Sequence, residues 1–129
     1  ITAGRKVNDE MSYYYAILLN KKIKKKFKQK KIKMLVMGYT FKENCSDTRN
    51  TKVSEIIKYF KKREHKVHIY DPWVEKKEKI SNFQKKLRKN YYDCIIIAVK
   101  HEKFIEMGKN KILQYCRKKN ILFDLKKIF

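Results

Sequence analysis

A polar stretch, Phe41-Lys42-Glu43-Asn44-Cys45-Ser46-Asp47-Thr48-Arg49, follows closely on an apolar run that ends at Gly38. The run from Ile32 to Gly38 reads as a buried strand, so Lys42 and Arg49 stand beyond its carboxyl end, where open α/β sheets bind ligands. Two cations there predict an anionic ligand. Lys42 is a flexible ammonium able to reach a diphosphate, and Arg49 presents a planar fork suited to phosphate or carboxylate. Unpaired N–H groups of a helix starting near Thr51 favour negative charge at the same place. The plainer readings are a solvated lysine for Lys42 and a salt bridge to Asp47 or Glu55 for Arg49. Asp47 either orients these cations or closes the loop as an Asx-turn, and the structural role fits it better. Cys45, flanked by cations that would lower its pKa, has the surroundings of a nucleophile.

A second set of candidates follows two later apolar runs. Asp71-Pro72-Trp73 ends the run from Lys66 to Tyr70, because proline cannot continue a central ladder. It could border the ligand or form a turn with a packed indole. His101 comes just after the run from Tyr92 to Val99, either on the rim of the site or as a helix cap. The obvious ligand for such a sheet is a dinucleotide, but a pyrophosphate cradled by backbone needs closely spaced glycines. The chain has 3 glycines, and Gly38 is followed by Tyr39, Thr40 and Phe41, whose side chains would block the approach. A pyrophosphate here must be held by side chains. Cys45, Cys94 and Cys116 have no Cys-x-x-Cys spacing and His65, His68 and His101 are scattered, so neither a zinc site nor a disulfide framework is expected.

Four apolar runs separated by helical patterns must position these residues. Strands are expected at Ile32 to Gly38, Lys66 to Tyr70, Tyr92 to Val99 and Ile121 to Leu125, with Tyr92 to Val99 central as the most hydrophobic. Helices are expected over residues 52–63, 75–88 and 109–118, with a short helical turn at 102–107. That alternation predicts an α/β fold, a Rossmann-like doubly wound parallel sheet of about 4–5 strands. A long helix over residues 5–30 precedes it, with Val7, Met11, Tyr14 or Tyr15, Leu18, Ile23 and Phe27 as its apolar stripe. The lysine-rich second half of that helix is expected to run through solvent as a connector; the alternative is packing on its own domain. The boundary is drawn at residue 30, with one domain over 31–129 that stops just after its last strand.

With 35 Lys+Arg against 13 Asp+Glu, the net charge of +22 raises nucleic acid or an anionic membrane as partners. The excess is mostly lysine spread over nearly every segment, and the densest run, Lys21 to Lys33, contains no arginine and only Phe27 as an aromatic. Base readout and single-strand platforms use arginine and stacking aromatics, so specific nucleic-acid binding is not expected. No apolar run approaches the ~18 residues of a membrane span and no signal-peptide pattern opens the chain, which reads as cytoplasmic.

The stretch Gly38-x-Thr40-Phe41-Lys42-Glu43-Asn44-Cys45-Ser46-Asp47-Thr48-Arg49-Asn50-Thr51-Lys52 resembles the signature that opens the C-terminal domain of the UDP-glucose/GDP-mannose dehydrogenase family. In step with it come Gly4-Arg-Lys-Val-Asn-Asp9, Val67-His-Ile-Tyr-Asp-Pro-Trp73, Tyr92-Asp-Cys-Ile-Ile-Ile-Ala98, His101-Glu-Lys-Phe104 and Phe123-Asp-Leu-Lys126. The resemblance implies that Phe41 and Lys42 bind the UDP part of a nucleotide sugar and that Arg49 contacts NAD. It implies an NAD-dependent enzyme that oxidises the C6 hydroxyl of a UDP-hexose or UDP-N-acetylhexosamine to a carboxylate through a cysteine thioester. The wording of the motif is closer to the N-acetylhexosamine branch. Residues 1–30 resemble the end of the central helical region that joins two α/β domains and builds a homodimer or higher homo-oligomer.

The family's glycine-rich Cys-Phe-Pro-Lys-Asp type of motif is absent, and Cys45 sits in a different one. No catalytic residue is therefore expected in this chain, and NAD is expected to be bound mainly by a domain absent from it. The chain reads as the C-terminal, UDP-sugar-binding portion of such an enzyme, inactive alone. The rivals are a freestanding nucleotide-binding or regulatory domain and a basic nucleic-acid-binding module.

Overall fold

The computed structural model describes residues 2–28, 31–40, 51–74 and 82–129, the side chains of residues 2–11 and Thr51 excepted. Its elements are α1 (Thr2–Lys26), β1 (Lys33–Met37), α2 (Thr51–Lys62), β2 (Lys66–Tyr70), β3 (Tyr92–Ile97), α3 (Glu102–Leu113) and β4 (Cys116–Asp124). The four strands form one parallel sheet in the order β2-β1-β3-β4, as the apolar runs predict. After β1 the chain moves outward to β2 and then returns to the other side of β1 as β3. The carboxyl ends of β1 and β3 therefore flank a topological switch point, the place where such sheets open a ligand crevice.

Alternation along each strand builds two cores. Met34 and Val36 of β1 join Val67, Ile69, Cys94 and Ile96 on one face, under Val53, Ile56, Ile57 and Phe60 of α2. Leu35 and Met37 point the other way with Ile95 and Ile97, against Phe104 and Ile112 of α3. Coverage of both faces is why the strands read as unbroken apolar runs instead of alternating ones. Each fully buried Ile or Phe here contributes about 1.5–3 kcal/mol of transfer free energy.

The leading helix departs from expectation in two ways. Its buried face runs through Ser12, Ala16, Leu19, Ile23 and Phe27, while Tyr14 is 58% exposed. Leu18 and Leu19 are both apolar, so the sequence permits two phases; Leu19, Ile23 and Phe27 step by four onto α2 and settle it. The lysine-rich half is also not a connector through solvent, because Ile23 and Phe27 lie in the core shared with α2 and β1. Lys21, Lys22, Lys24, Lys25 and Lys26 remain on the exposed side. Among the described residues no helix is long and apolar enough to cross a membrane.

Of the crossover helix expected over 75–88, residues 75–81 lie outside the described residues and 82–88 are not helical. Asn82 and Asn90 take left-handed φ values of 63° and 55°, which interrupt a helix. Phe83 instead bridges Ile69 in parallel, with Ile69 N–H donating to Asn82 O (3.1 Å) and Gln84 N–H to Ile69 O (2.8 Å), covering the outer edge of β2. The turn at 102–107 and the helix from 109 are two halves of α3, separated at Gly108 (φ 78°, ψ 157°). That helix ends at Leu113, five residues earlier than expected, because Cys116 already pairs with Tyr92 and the strand begins there.

Candidate functional site

The site begins where β1 leaves the sheet. Gly38 has φ +103°, and a Cβ added to it would lie 2.6 Å from Val99 Cβ and 2.7 Å from Val99 N. Only glycine lets the ends of β1 and β3 come this close. Gly38 N–H donates to Tyr70 O (2.9 Å), which ties the same point to the end of β2. The next two amides leave the ladder: Tyr39 N–H and Thr40 N–H both donate to Asp71 Oδ2, at 2.7 and 3.0 Å. Asp71 stands directly after β2, where Pro72 ends the ladder, and its Oδ1 accepts from Trp73 N–H (2.8 Å).

His101 completes this arrangement from the far side of the switch point. Its Nε2 lies 3.0 Å from Asp71 Oδ2 and 3.1 Å from Thr40 Oγ1, and both side chains of the Asp71–His101 pair are fully buried. A carboxylate only accepts, so the Nε2 proton is directed at Asp71. Burial alone would raise the Asp71 pKa; the His101 hydrogen bond, the Tyr39 and Trp73 amides and the His101 charge outweigh it and hold the carboxyl below its usual range. His101 occupies the N-cap position of α3 but makes no capping hydrogen bond with its side chain. It is neither an exposed rim residue nor a side-chain cap, because Asp71 outcompetes both roles. Trp73 is 42% exposed, with its ring 6.2 Å from that of His101 and tilted by 34° to it.

Among the described residues at this edge, Lys52 and Lys126 lie near enough to interact electrostatically. The Lys52 pKa is lowered, first by partial burial and then by repulsion from Lys126. Lys52 lies in the first turn of α2, which holds no acidic residue, and a cation is disfavoured by the helix dipole there. Its Nζ lies 5.0 Å from the Tyr15 ring centroid. Asp124, at the end of β4, accepts Phe129 N–H at Oδ2 (2.9 Å), and its buried Oδ1 has no hydrogen-bond partner among the described residues. Burial, repulsion and the dipole all act against the charged form of Lys52.

Phe41, Lys42, Cys45, Asp47 and Arg49 lie outside the described residues. Thr40 and Thr51 flank them, at the carboxyl end of β1 and at the start of α2. Asp71, Trp73 and His101, singled out separately in the sequence, come together. The pairing of Asp71 with His101 and the convergence of Lys52 and Lys126 were not read from the sequence. The one available signal was position, since Asp71 and His101 each follow an apolar run directly. Cys94 and Cys116 are free and buried. Burial pushes the Cys94 thiol well above its ordinary value and Cys116 up to about 11, so neither is a nucleophile.

Residues 35–129 match the profile of the UDP-glucose/GDP-mannose dehydrogenase family, UDP binding domain. The chain belongs to this family. It is 38% identical over 131 aligned residues to the UDP-N-acetyl-D-glucosamine 6-dehydrogenase of Salmonella typhi, covering 98% of this chain and 31% of that enzyme. It is 33% identical to the UDP-N-acetyl-D-mannosamine dehydrogenase of Methanococcus aeolicus, over 98% of this chain and 29% of the relative. The solved structure of the UDP-D-ManNAc dehydrogenase from Pyrococcus horikoshii has the same fold, with a TM-score of 0.76 at 24% identity, over 97% of this chain and 29% of that one. The chain thus spans about 31% of the length of the Salmonella relative.

The resemblance implies NAD as cofactor, so the fit of this sheet to a dinucleotide matters. The space that a pyrophosphate-cradling glycine keeps open is filled at Gly38 by Val99, and Tyr39 and Thr40 follow in place of further glycines. The carboxyl edge of β1 therefore does not fit NAD in the backbone-cradled manner.

Proposed function

We propose that this chain binds the UDP part of a nucleotide sugar at the carboxyl edge of its sheet. It does so within an NAD-dependent 6-dehydrogenase that oxidises a UDP-hexose or UDP-N-acetylhexosamine to the uronic acid. The observation that carries this reading is the match of residues 35–129 to the family's UDP binding domain. The charge pattern supports it, since Lys52 and Lys126 repel each other at the edge where a diphosphate would relieve both. Phe41 and Lys42 hold the UDP part and Arg49 reaches NAD. The names of the relatives favour an N-acetylhexosamine as the sugar.

Bound NAD would supply the hydride acceptor for the oxidation at C6. With no glycine cradle at Gly38, this sheet leaves NAD to be held mainly by a domain outside the chain, with Arg49 as this chain's contribution. The work of the chain's own residues is to bind and orient the diphosphate by fixed positive charge. Residues 1–30 belong to the helical region that joins the enzyme's domains, and the enzyme is a homodimer or higher homo-oligomer built through it. The exposed Tyr13 and Tyr14 of α1 support that assignment. The setting is the cytoplasm, in keeping with the buried free thiols.

Isothermal calorimetry of the purified chain with UDP and with uridine, at low and high salt, tests the binding. UDP should bind more tightly than uridine, and the difference should shrink as salt rises. Incubation with NAD and a UDP-sugar should yield no NADH, because the reaction needs an activated cysteine beside the nicotinamide. Equal affinity for UDP and uridine would sink the binding reading. Sustained NADH formation would sink the division of labour between this chain and the rest of the enzyme.

A further inference from the structure

We propose that Asp71 and His101 are positioning residues that hold Tyr39 and Thr40, where the chain leaves β1, in the conformation that receives the nucleotide. The clamp stands on geometry, and its link to a ligand rests on the proposed function. Four donors converge on one carboxylate: Tyr39 N–H, Thr40 N–H and His101 Nε2 at Oδ2, and Trp73 N–H at Oδ1. The Asp71 side chain is fully buried, so it acts through the backbone it holds and not by touching a ligand. With Gly38 N–H bonded to Tyr70 O, the chain is pinned from Gly38 through Thr40, the last residue before Phe41 and Lys42.

His101 supplies what the buried carboxylate needs. Its Nε2–H reaches the same Oδ2 from the start of α3, so the ends of β1 and β2 and the beginning of α3 are locked to one group. Without this donor the carboxylate loses its only charge-capable partner among the described residues and draws in water, freeing the Tyr39 and Thr40 amides to turn away. This segment then samples directions that do not bind. The apparent dissociation constant rises as the inverse of the competent fraction, so a fall of that fraction to about a tenth weakens binding about ten-fold.

The test uses the full chain as wild type, Asp71→Asn, His101→Leu and His101→Gln, the last keeping an N–H donor at similar reach. Amide hydrogen exchange is followed by NMR at Tyr39 and Thr40, with Leu35 and Ile96 as core references, and UDP affinity by calorimetry. Asp71→Asn and His101→Leu should lose protection at Tyr39 and Thr40 and bind UDP about ten-fold more weakly, with the core references unchanged. His101→Gln should retain both properties. A folded His101→Leu chain with wild-type protection or wild-type UDP affinity would overturn the clamp, and so would His101→Gln behaving like His101→Leu. If Asp71→Asn fails to fold, the two His101 variants decide alone. A wild-type chain that does not bind UDP overturns the proposed function and not the clamp, which the amide exchange then decides.

Discussion

Gly38 and Val99 touch so closely that a Cβ on the first would sit 2.6 Å from the Cβ of the second. This contact joins the carboxyl ends of the two central strands, and the candidate site is built directly on it.

Gly38→Ala should therefore destabilise the chain by about 2 kcal/mol or more, through both the clash and the strained φ of +103°. Val99→Ala should not rescue it, because Val99 N lies 2.7 Å from the added carbon. Urea denaturation of the two single variants and the double variant checks this. A double variant as stable as Val99→Ala alone would refute the steric account.

Lys42→Ala should weaken UDP binding by about ten- to a hundred-fold, the equivalent of one charge-assisted contact worth ~1.5–3 kcal/mol. Arg49→Ala should leave UDP affinity nearly unchanged and, in the assembled enzyme, raise the KM for NAD. Calorimetry and steady-state kinetics with each substrate varied in turn separate the two. Unchanged constants for either variant would return that residue to a solvated or salt-bridged surface role.

Lys52→Gln should relieve the repulsion from Lys126 and the conflict with the α2 dipole, so the ligand-free chain should gain a few tenths of a kcal/mol at low salt. The same variant should bind UDP more weakly and with a smaller salt dependence. Opposite signs for free and bound states are the signature of a residue kept for an anion. A loss of stability in the free chain would contradict it.

Acid should destabilise the fold in two stages. The pKa values of His65 and His68 are lowered, mainly by burial and further by Arg63, or by Lys66 and Arg88. The unfolded chain then binds protons that the folded one refuses, so stability falls as pH drops below about 6.5. His65 Nδ1 also accepts Ile32 N–H (3.1 Å), a bond that protonation would break. The Asp71 pKa is lowered as well, so its contribution is fully present above about pH 4 and is lost as pH falls further through the folded value. Thermal melts across this range should show the first stage flattened in a His65→Gln, His68→Gln double variant and the second flattened in Asp71→Asn. A first stage unchanged by the double variant would assign it elsewhere.

Much of the fold is legible in the sequence because burial on both faces leaves a mark that does not depend on partners. The four strands are four apolar runs, and Val53, Ile56, Ile57 and Phe60 fall on one face of α2 as their spacing requires. The boundary signals were local too: Pro72 after β2 and Gly108 within α3 each stop an element by their own backbone chemistry. Where such signals are absent, neighbouring elements decide the local structure. The phase of α1 depended on α2, and residues 82–88 took the shape set by the edge of β2 instead of by their lysines.

The sequence by itself determined the parallel α/β sheet, the polar stretch beyond β1 and its cationic character, since these follow from residue type and spacing along one segment. Only the tertiary structure decided that Asp71 and His101, 30 residues apart, share a proton-directed bond of 3.0 Å at the base of that stretch. It also brought Lys126, near the end of the chain, within electrostatic reach of Lys52. The physical reason is that hydrogen-bond and Coulomb terms depend on distances of a few ångströms, which strand order sets. Sequence spacing carries no record of which strand ends lie side by side.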